Sequence, residues 1–241
     1  MKSGNNTLSN YRVAGYHIQR GVISDEEAGC WAEHYMKLNA EGPHPGDFSG
    51  VRPASANGQA EPLAAYPRLI QMHDWDASSA SFMNDPRIKS TAELLTGQPV
   101  DVLQTMVYFK PAGSRGQSFH QDNLYLRCTP VIAAWVALDD CDAENGAMEM
   151  VDGSHLLGLL PCKLADTDLS FTDSETVFPD YLPKTLISLK RGDAVFFGGL
   201  TVHGSMPNRS VTRFRRAFIV HYQGRLNYPI VGPPLPRSGA T

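Results

Sequence analysis

The spacing of hydrophobic and polar residues changes about a third of the way along the chain. In the first third, two stretches place apolar side chains at helical spacing, and each begins with a capping signal. Ser24 and Glu27 form a capping box, in which each side chain satisfies the other residue's backbone amide. This pattern predicts a helix from about Ser24 to Leu38. A second helix is predicted from about Asn84 to Gly97, with a proline at an early position.

From about residue 100 onward, apolar residues occur in short runs separated by Gly, Pro, Asn and Asp. Short runs of this kind are typical of an all-β sandwich or barrel. We therefore expect a mainly β fold with flanking helices, in one domain over residues 1–241. Its expected parts are a helical part over about 1–99, a β core over about 100–223 and a C-terminal tail over 224–241. The predicted strands are Leu103–Phe109, Val131–Leu138, Ala147–Val151, Thr185–Leu189, Ala194–Phe197 and Arg216–Tyr222.

Two long stretches show neither the helical spacing nor the short apolar runs typical of strands. Residues 41–67 are rich in Gly, Pro, Ala and Ser, and residues 164–183 are polar and acidic. Long segments without regular structure often carry function, and loops on a rigid scaffold often decide specificity. We expect these two stretches to be lids over a site.

Composition narrows the class of protein. The 241 residues contain 21 Lys and Arg against 25 Asp and Glu, a net charge of −4. There is thus no excess of positive charge to bind nucleic-acid phosphates, which argues against a nucleic-acid-binding protein. No apolar run approaches the roughly 20 residues that span a bilayer, and the N-terminus has no apolar signal segment. The four cysteines form no CxxC pair. We expect a reduced, cytoplasmic protein that binds neither nucleic acid nor membrane; the oligomeric state is left open.

His120, Asp122 and His203 are the candidate metal ligands. Residues i and i+2 of a strand point to the same face, so His120 and Asp122 can converge on one ion, and a sandwich can bring His203 alongside. Two imidazoles and one carboxylate leave open positions on a metal, as in non-haem Fe(II) oxygenases. The same three residues also fit an ordinary ion pair and a loop histidine.

The residues after His203 favour the metal site. Arg213, Arg215 and Arg216 lie on or near the next strand, where a guanidinium can bind the distal carboxylate of a dicarboxylic co-substrate in a bidentate manner. The Ser205 hydroxyl can serve the same carboxylate.

With these motifs, the chain resembles the phytanoyl-CoA dioxygenase family of Fe(II)/2-oxoglutarate-dependent oxygenases over roughly residues 95–222. The resemblance implies a double-stranded β-helix, that is, a jelly-roll or cupin-like core. The chain differs from the usual family sequence at Asp152, where most members have a proline. The matching stretches, in family order, are Phe119–Asp122, Ala134–Asp139, Glu144–Met148, Gly153–His155, the His203 segment and Phe214–Ala217.

The resemblance also implies residue roles. His120, Asp122 and His203 would bind Fe(II), and Arg215 and Ser205 would bind the distal carboxylate of 2-oxoglutarate. Arg215 is preferred because Arg216 is out of phase with it and Arg213 is farther from the matching run. The co-substrate pocket of the family also matches Met106 and Trp135. Gln104 and Tyr108 share the strand face of Met106 and are added as co-substrate or substrate contacts.

The activity implied is oxidation of a small-molecule metabolite or natural-product intermediate with O2, releasing succinate and CO2. Because Asp122 supplies a carboxylate where halogenases have a small residue, hydroxylation or a related desaturation or cyclisation is expected. One alternative is a cupin-like metalloenzyme that does not use 2-oxoglutarate, such as an isomerase. Another is a non-catalytic sandwich that binds a small ligand.

Charged residues give conflicting hints about the substrate. The acidic loop favours a cationic substrate, whereas Lys110, Arg115 and Arg127 would meet an anionic one. The remaining histidines, including His155 and His221, are expected to be structural or solvated. The acidic side chains of the loop are Asp166, Asp168, Asp173, Glu175 and Asp180.

Overall fold

The computed structural model describes residues 2–47 and 62–233, with side chains from residue 7 onward. Five α-helices lie within these ranges, and three short 3-10 helices connect other elements. The α-helices are α1 Lys2–Ala14, α2 Asp25–Glu41, α3 Ala77–Phe82, α4 Pro86–Thr96 and α5 Asn123–Leu126. The 3-10 helices are Pro62–Ala65, Met72–Asp74 and Ser154–Leu157.

Twelve strands lie in the same described ranges. The first six are β1 Tyr16–Gln19, β2 Leu69–Ile70, β3 Val100–Tyr108, β4 Gln117–His120, β5 Cys128–Ala137 and β6 Met148–Val151. The others are β7 Cys162–Leu164, β8 Ser174–Thr176, β9 Lys184–Ile187, β10 Ala194–Gly198, β11 His203–Ser205 and β12 Ala217–Pro229.

The strands form two antiparallel sheets and one small hairpin. The major sheet has the order β1-β10-β5-β12-β3-β2, the minor sheet has the order β4-β11-β6-β9, and β7 pairs with β8. This mainly β jelly-roll architecture with flanking helices confirms the predicted fold class.

Strand alternation divides the apolar residues of the major sheet between two cores. On β5, Ala133, Trp135 and Ala137 face the minor sheet, where they join Met148 and Ile187 in one buried cluster. Their neighbours on β5 point the other way, toward the helices, and belong to a second cluster. The inner cluster forms the interior of the jelly roll, next to the metal-site candidates.

An aromatic stack fixes the helical layer on the major sheet. Trp31 of α2 stacks on Phe82 of α3 with ring centroids 4.2 Å apart, and Phe82 stacks on Phe218 of β12 at 4.6 Å. Tyr35 of α2 also stacks on Phe218 and is fully buried. Aromatic pairs of this kind add to the stabilisation from buried area, so the helices and the sheet form one packed unit.

Both predicted helices are present with the capping contacts that their sequences indicate. The Ser24 hydroxyl accepts a hydrogen bond from the Glu27 amide at 3.0 Å, and Glu27 accepts one from the Ser24 amide at 2.8 Å. The α4 helix begins after Asp85 and ends at Gly97, whose φ of 70° is left-handed.

The structure differs from the sequence expectations at the edges of the β core. The part expected to be helical contributes β1 and β2 to the major sheet, and β12 continues to Pro229, into the expected tail. The polar stretch 164–183 contains β8, which pairs with β7, and its Phe171 is buried. Most of the predicted lid 41–67 lies outside the described residues. No helix within the described ranges combines the length and apolarity that a bilayer crossing requires.

Candidate active site

The structure brings His120, Asp122 and His203 together. One nitrogen of each histidine and one carboxylate oxygen of Asp122 lie within 4.8 Å of one another. The Nε2 atoms of His120 and His203 are 3.7 and 3.8 Å from Asp122 Oδ1. All three side chains are buried, so the donors are held by the fold.

Strand alternation is not what aligns His120 with Asp122, which corrects the expectation from their spacing. Strand β4 ends at His120, and Asp122 has helical backbone angles (φ −59°, ψ −33°) just before α5. The side chain of Gln121 fixes this bend, because it donates to Gly158 O and Leu200 O and accepts from the Leu160 amide. A turn held by a buried amide therefore places Asp122 beside His120.

Backbone carbonyls orient both histidine rings. His120 Nδ1 lies 2.9 Å from Ser118 O, and His203 Nδ1 lies 3.1 Å from Thr201 O. A carbonyl accepts only from a protonated nitrogen, so Nδ1 carries the proton and the Nε2 lone pair faces the cluster. In agreement, the Gln117 side-chain amide donates to His120 Nε2 at 3.1 Å.

Burial and neighbouring side chains set the protonation states of two of these groups. Burial, together with the neighbouring His203, lowers the pKa of His120 to about 3. Burial alone would raise the pKa of Asp122, but His203 and His221 outweigh that effect and hold it below its ordinary value. Near neutral pH, a neutral imidazole and a carboxylate anion are thus present together, which is the donor set that a divalent metal requires.

A narrow cavity extends from the three side chains into the jelly roll. Three strands of the major sheet contribute to its wall through positions that face each other in register: Met106 of β3 opposes Ile219 of β12, which opposes Trp135 of β5. The cavity residues named as candidates from the sequence are Met106, Tyr108, His120, Asp122, Trp135, His203, Ser205 and Arg215.

Ion pairs distinguish the three candidate arginines. Arg213 pairs with Asp142 at 2.7 Å and with Glu144 at 3.0 Å, and Arg216 binds both oxygens of Asp139. Arg215 is 3% exposed, lines the cavity and pairs with no carboxylate of the described residues. Its guanidinium carbon lies 5.0 Å from the centroid of the Trp135 ring, and its Nε has no hydrogen-bond partner there. A buried cation without a counter-ion is a site for an anion.

Ser205 lies at the same cavity, and its hydroxyl orientation is constrained. Its Oγ accepts hydrogen bonds from Lys110 Nζ at 2.9 Å and from the Gln117 amide at 3.2 Å. A hydroxyl has two acceptor positions and one proton to donate. With both acceptor positions used, the Ser205 proton is left to donate to an anion.

A larger cavity of about 380 Å³ adjoins the same three-residue cluster. Gln104 lines this cavity rather than the narrow one, whereas Met106 and Tyr108 line both. Residues 171–173 of the acidic loop form another part of its wall. Its polar residues include Arg68, which donates to the Tyr108 hydroxyl at 2.8 Å.

The other charged residues expected near the substrate are placed differently. Asp173 is the acidic loop residue that lines the larger cavity. Arg115 instead donates to the backbone carbonyls of Thr167 and Ser170, and Arg127 donates to Pro233 O. Arg115 therefore holds the acidic loop in place through its backbone.

Sequence reasoning missed three residues of the site. Gln117 and Arg68 carry no motif or spacing that marks them. His221 was expected to be structural or solvated, but its Nε2 lies 3.2 Å from Asp122 Oδ2. Its even spacing from Arg215 was the available signal, because residues two apart on a strand share a face. His155, by contrast, contacts the backbone carbonyl of Arg12.

Comparison with known proteins gives the family. The chain is 24% identical to the peroxisomal phytanoyl-CoA dioxygenase of Rattus norvegicus over 223 residues, or 88% of this chain and 66% of the relative. The chain thus spans just under two thirds of that relative's length.

Solved structures share the fold. The epimerase SnoN, in complex with Fe3+, alpha ketoglutarate and nogalamycin RO, has a TM-score of 0.76 at 23% identity, covering 95% of this chain and 87% of SnoN. The alpha ketoglutarate dependent carbocyclase SnoK from nogalamycin biosynthesis has a TM-score of 0.70 at 24% identity, covering 94% and 86%. The family model for phytanoyl-CoA dioxygenase (PhyH) matches residues 11–217, and the chain belongs to that family.

Proposed function

We propose that this chain is an Fe(II)- and 2-oxoglutarate-dependent oxygenase that hydroxylates a small-molecule metabolite or natural-product intermediate. The observation that carries the proposal is one cavity with a His-Asp-His cluster at its wall and, along its lining, the buried Arg215, which pairs with no carboxylate of the described residues. Two imidazole donors and a carboxylate suit ferrous iron. A buried guanidinium suits a carboxylate. The residues present therefore fit both cofactors.

Each residue then has a role in binding. His120, Asp122 and His203 would hold the iron. Arg215 and Ser205 would bind the distal carboxylate of 2-oxoglutarate, with Trp135 and Met106 packing along its chain. When bound, the iron and 2-oxoglutarate supply the oxidising chemistry, which consumes O2 and yields succinate and CO2.

The larger cavity is the proposed substrate site. Its volume of about 380 Å³ suits a small molecule, and it meets the narrow cavity at His120, Asp122 and His221. Apolar and aromatic side chains line it together with Gln104, Arg68 and Asp173, so it offers hydrogen bonds and both signs of charge. SnoN and SnoK act in nogalamycin biosynthesis, which favours a natural-product intermediate over a coenzyme A thioester.

Anaerobic absorption spectroscopy tests the cofactors. We expect a weak visible charge-transfer band that needs both Fe(II) and 2-oxoglutarate and that is lost in His203→Ala. The matched control is His73→Ala, because His73 contacts Thr105 and lines neither of the two site cavities. Metal binding without the band would favour the cupin-like metalloenzyme, and no metal binding would favour the non-catalytic sandwich.

Product mass tests the reaction type. With a substrate found by succinate release, a product heavier by one oxygen atom supports hydroxylation. Loss of a hydrogen pair would indicate desaturation or ring closure, and an unchanged mass would indicate epimerisation.

A further inference from the structure

The two oxygens of Asp122 have different surroundings. Oδ1 faces the Nε2 atoms of His120 and His203, at 3.7 and 3.8 Å. Oδ2 lies 3.2 Å from Nε2 of His221, which no metal-ligand cluster in the described residues includes. One oxygen of the carboxylate is thus directed to the metal position and the other to a histidine behind it.

The proton of this contact is on His221. An ionised carboxylate can only accept hydrogen bonds. His221 Nδ1 is buried and has no hydrogen-bond partner among the described residues, so nothing there accepts a proton from it. His221 therefore carries a proton on Nε2 and donates it to Asp122 Oδ2.

The major sheet holds the His221 ring in this position. His221 lies on β12, paired with Gln104 of β3 on one side and with Ala133 of β5 on the other. It is 3% exposed and lines both cavities. A side chain on a central strand, flanked on both sides, has little freedom to turn away from the carboxylate.

We propose that His221 is a positioning residue that holds Asp122 as a one-oxygen metal ligand, an inference that rests on the proposed function. By occupying Oδ2, it stops the carboxylate from turning both oxygens toward the metal. A metal held by one oxygen of Asp122 would then keep positions open for 2-oxoglutarate and O2. A hydrogen-bonded partner behind a ligand also fixes the ligand's orientation, and its loss commonly lowers metal affinity 10–100-fold.

Mn(II) binding, measured by electron paramagnetic resonance, tests the role without turnover. We expect His221→Phe and His221→Leu to raise the Mn(II) dissociation constant roughly 10–100-fold. His221→Gln, whose amide can still donate to Oδ2, should remain close to the native value. Water proton relaxation of the Mn(II) protein should show fewer exchangeable waters in the two apolar variants, because the freed carboxylate binds through both oxygens.

The controls separate this role from general stability. His73→Leu removes a histidine that contacts Thr105 of the same sheet, and it should leave the Mn(II) dissociation constant unchanged. The inference would be overturned if folded His221→Phe or His221→Leu had the wild-type Mn(II) dissociation constant and the wild-type number of exchangeable waters. It would also be overturned if His221→Gln bound Mn(II) as weakly as the two apolar variants.

The proposed function is tested separately by the wild-type protein, and it fails if that protein binds neither Mn(II) nor 2-oxoglutarate. If the wild-type protein binds them and the His221 variants bind Mn(II) equally well, only the role of His221 is removed.

Discussion

His203 and His120 are direct cross-strand partners on the β11–β4 ladder, with ring centroids 4.2 Å apart. The pairing is antiparallel, and the register shifts between His203 and Ser205, where Ser205 pairs with Gln117. The ladder that sets the two imidazoles side by side therefore also sets Ser205 against Gln117. The proposed metal ligands His120 and His203 and the proposed co-substrate contact Ser205 are therefore positioned by one strand pairing.

The substitution Gly116→Ala tests the pairing between β4 and β11. A Cβ at Gly116 would lie 2.2 Å from Ser205 O, a backbone atom that cannot yield without moving β11. We expect Gly116→Ala to cost about 1–3 kcal/mol of unfolding free energy and to weaken metal binding, measured by denaturant unfolding and metal titration. Gly29→Ala, a helical control whose Cβ meets only the end of the Arg191 side chain, should leave metal binding unchanged. Native metal affinity in Gly116→Ala would contradict the expectation.

Arg215 and Arg216 should separate co-substrate binding from stability. Arg215→Leu should retain metal binding but raise the 2-oxoglutarate dissociation constant by about 10-fold or more, because a charge-assisted hydrogen bond contributes about 1.5–3 kcal/mol. Arg216→Leu removes a partly exposed pair with Asp139 and should lower the melting temperature with little effect on 2-oxoglutarate binding. Calorimetric titration of both variants measures this, and equal loss of binding in the two would refute the assignment.

Lys110 should act on the co-substrate through Ser205. Lys110→Met frees an acceptor position on the Ser205 hydroxyl, so its proton is no longer directed to the anion. We expect Lys110→Met and Ser205→Ala each to raise the 2-oxoglutarate dissociation constant. The double variant should lose much less 2-oxoglutarate binding free energy than the sum of the two single losses, because the two residues act as a unit. Full additivity in the double-mutant cycle would mean that Lys110 acts independently.

Acid should destabilise the contact between α2 and α4. The Arg87 side chain, together with the Ser24 backbone amide, lowers the pKa of Glu27 from 4.5 to about 2 in the folded protein, and Arg87 also lowers the pKa of Asp85. A carboxyl whose folded pKa is depressed stabilises the fold above its unfolded pKa and loses that contribution as the pH falls through its folded pKa. The melting temperature should thus fall between about pH 4.5 and 2.

Arg87→Met should flatten that acid dependence, whereas Lys89→Met in the same helix should not. Thermal unfolding across this pH range measures both variants. If Arg87→Met follows the wild-type curve, the ion pair of Arg87 with Glu27 contributes nothing to acid stability.

The local elements were predictable because their signals are local. The capping box at Ser24, the helix end at Gly97 and the apolar run of β5 each depend on residues a few positions apart, and each appears where the sequence indicates it. Strand β1 was missed, because its four residues carry no pattern of their own and their pairing with β10 is set by residues far along the chain.

Residue types and motif order indicated, from the sequence alone, the family, the fold class and most of the residues of the candidate site. Only the tertiary structure decided their geometry. It showed that a turn rather than a strand places Asp122, and that His221 lies behind Asp122. It also showed that Arg213 and Arg216 pair with carboxylates, whereas Arg215 pairs with none in the described part of the chain. The physical reason is that these facts depend on contacts between distant parts of the chain, and which polar groups find partners is settled only when the sheets pack together.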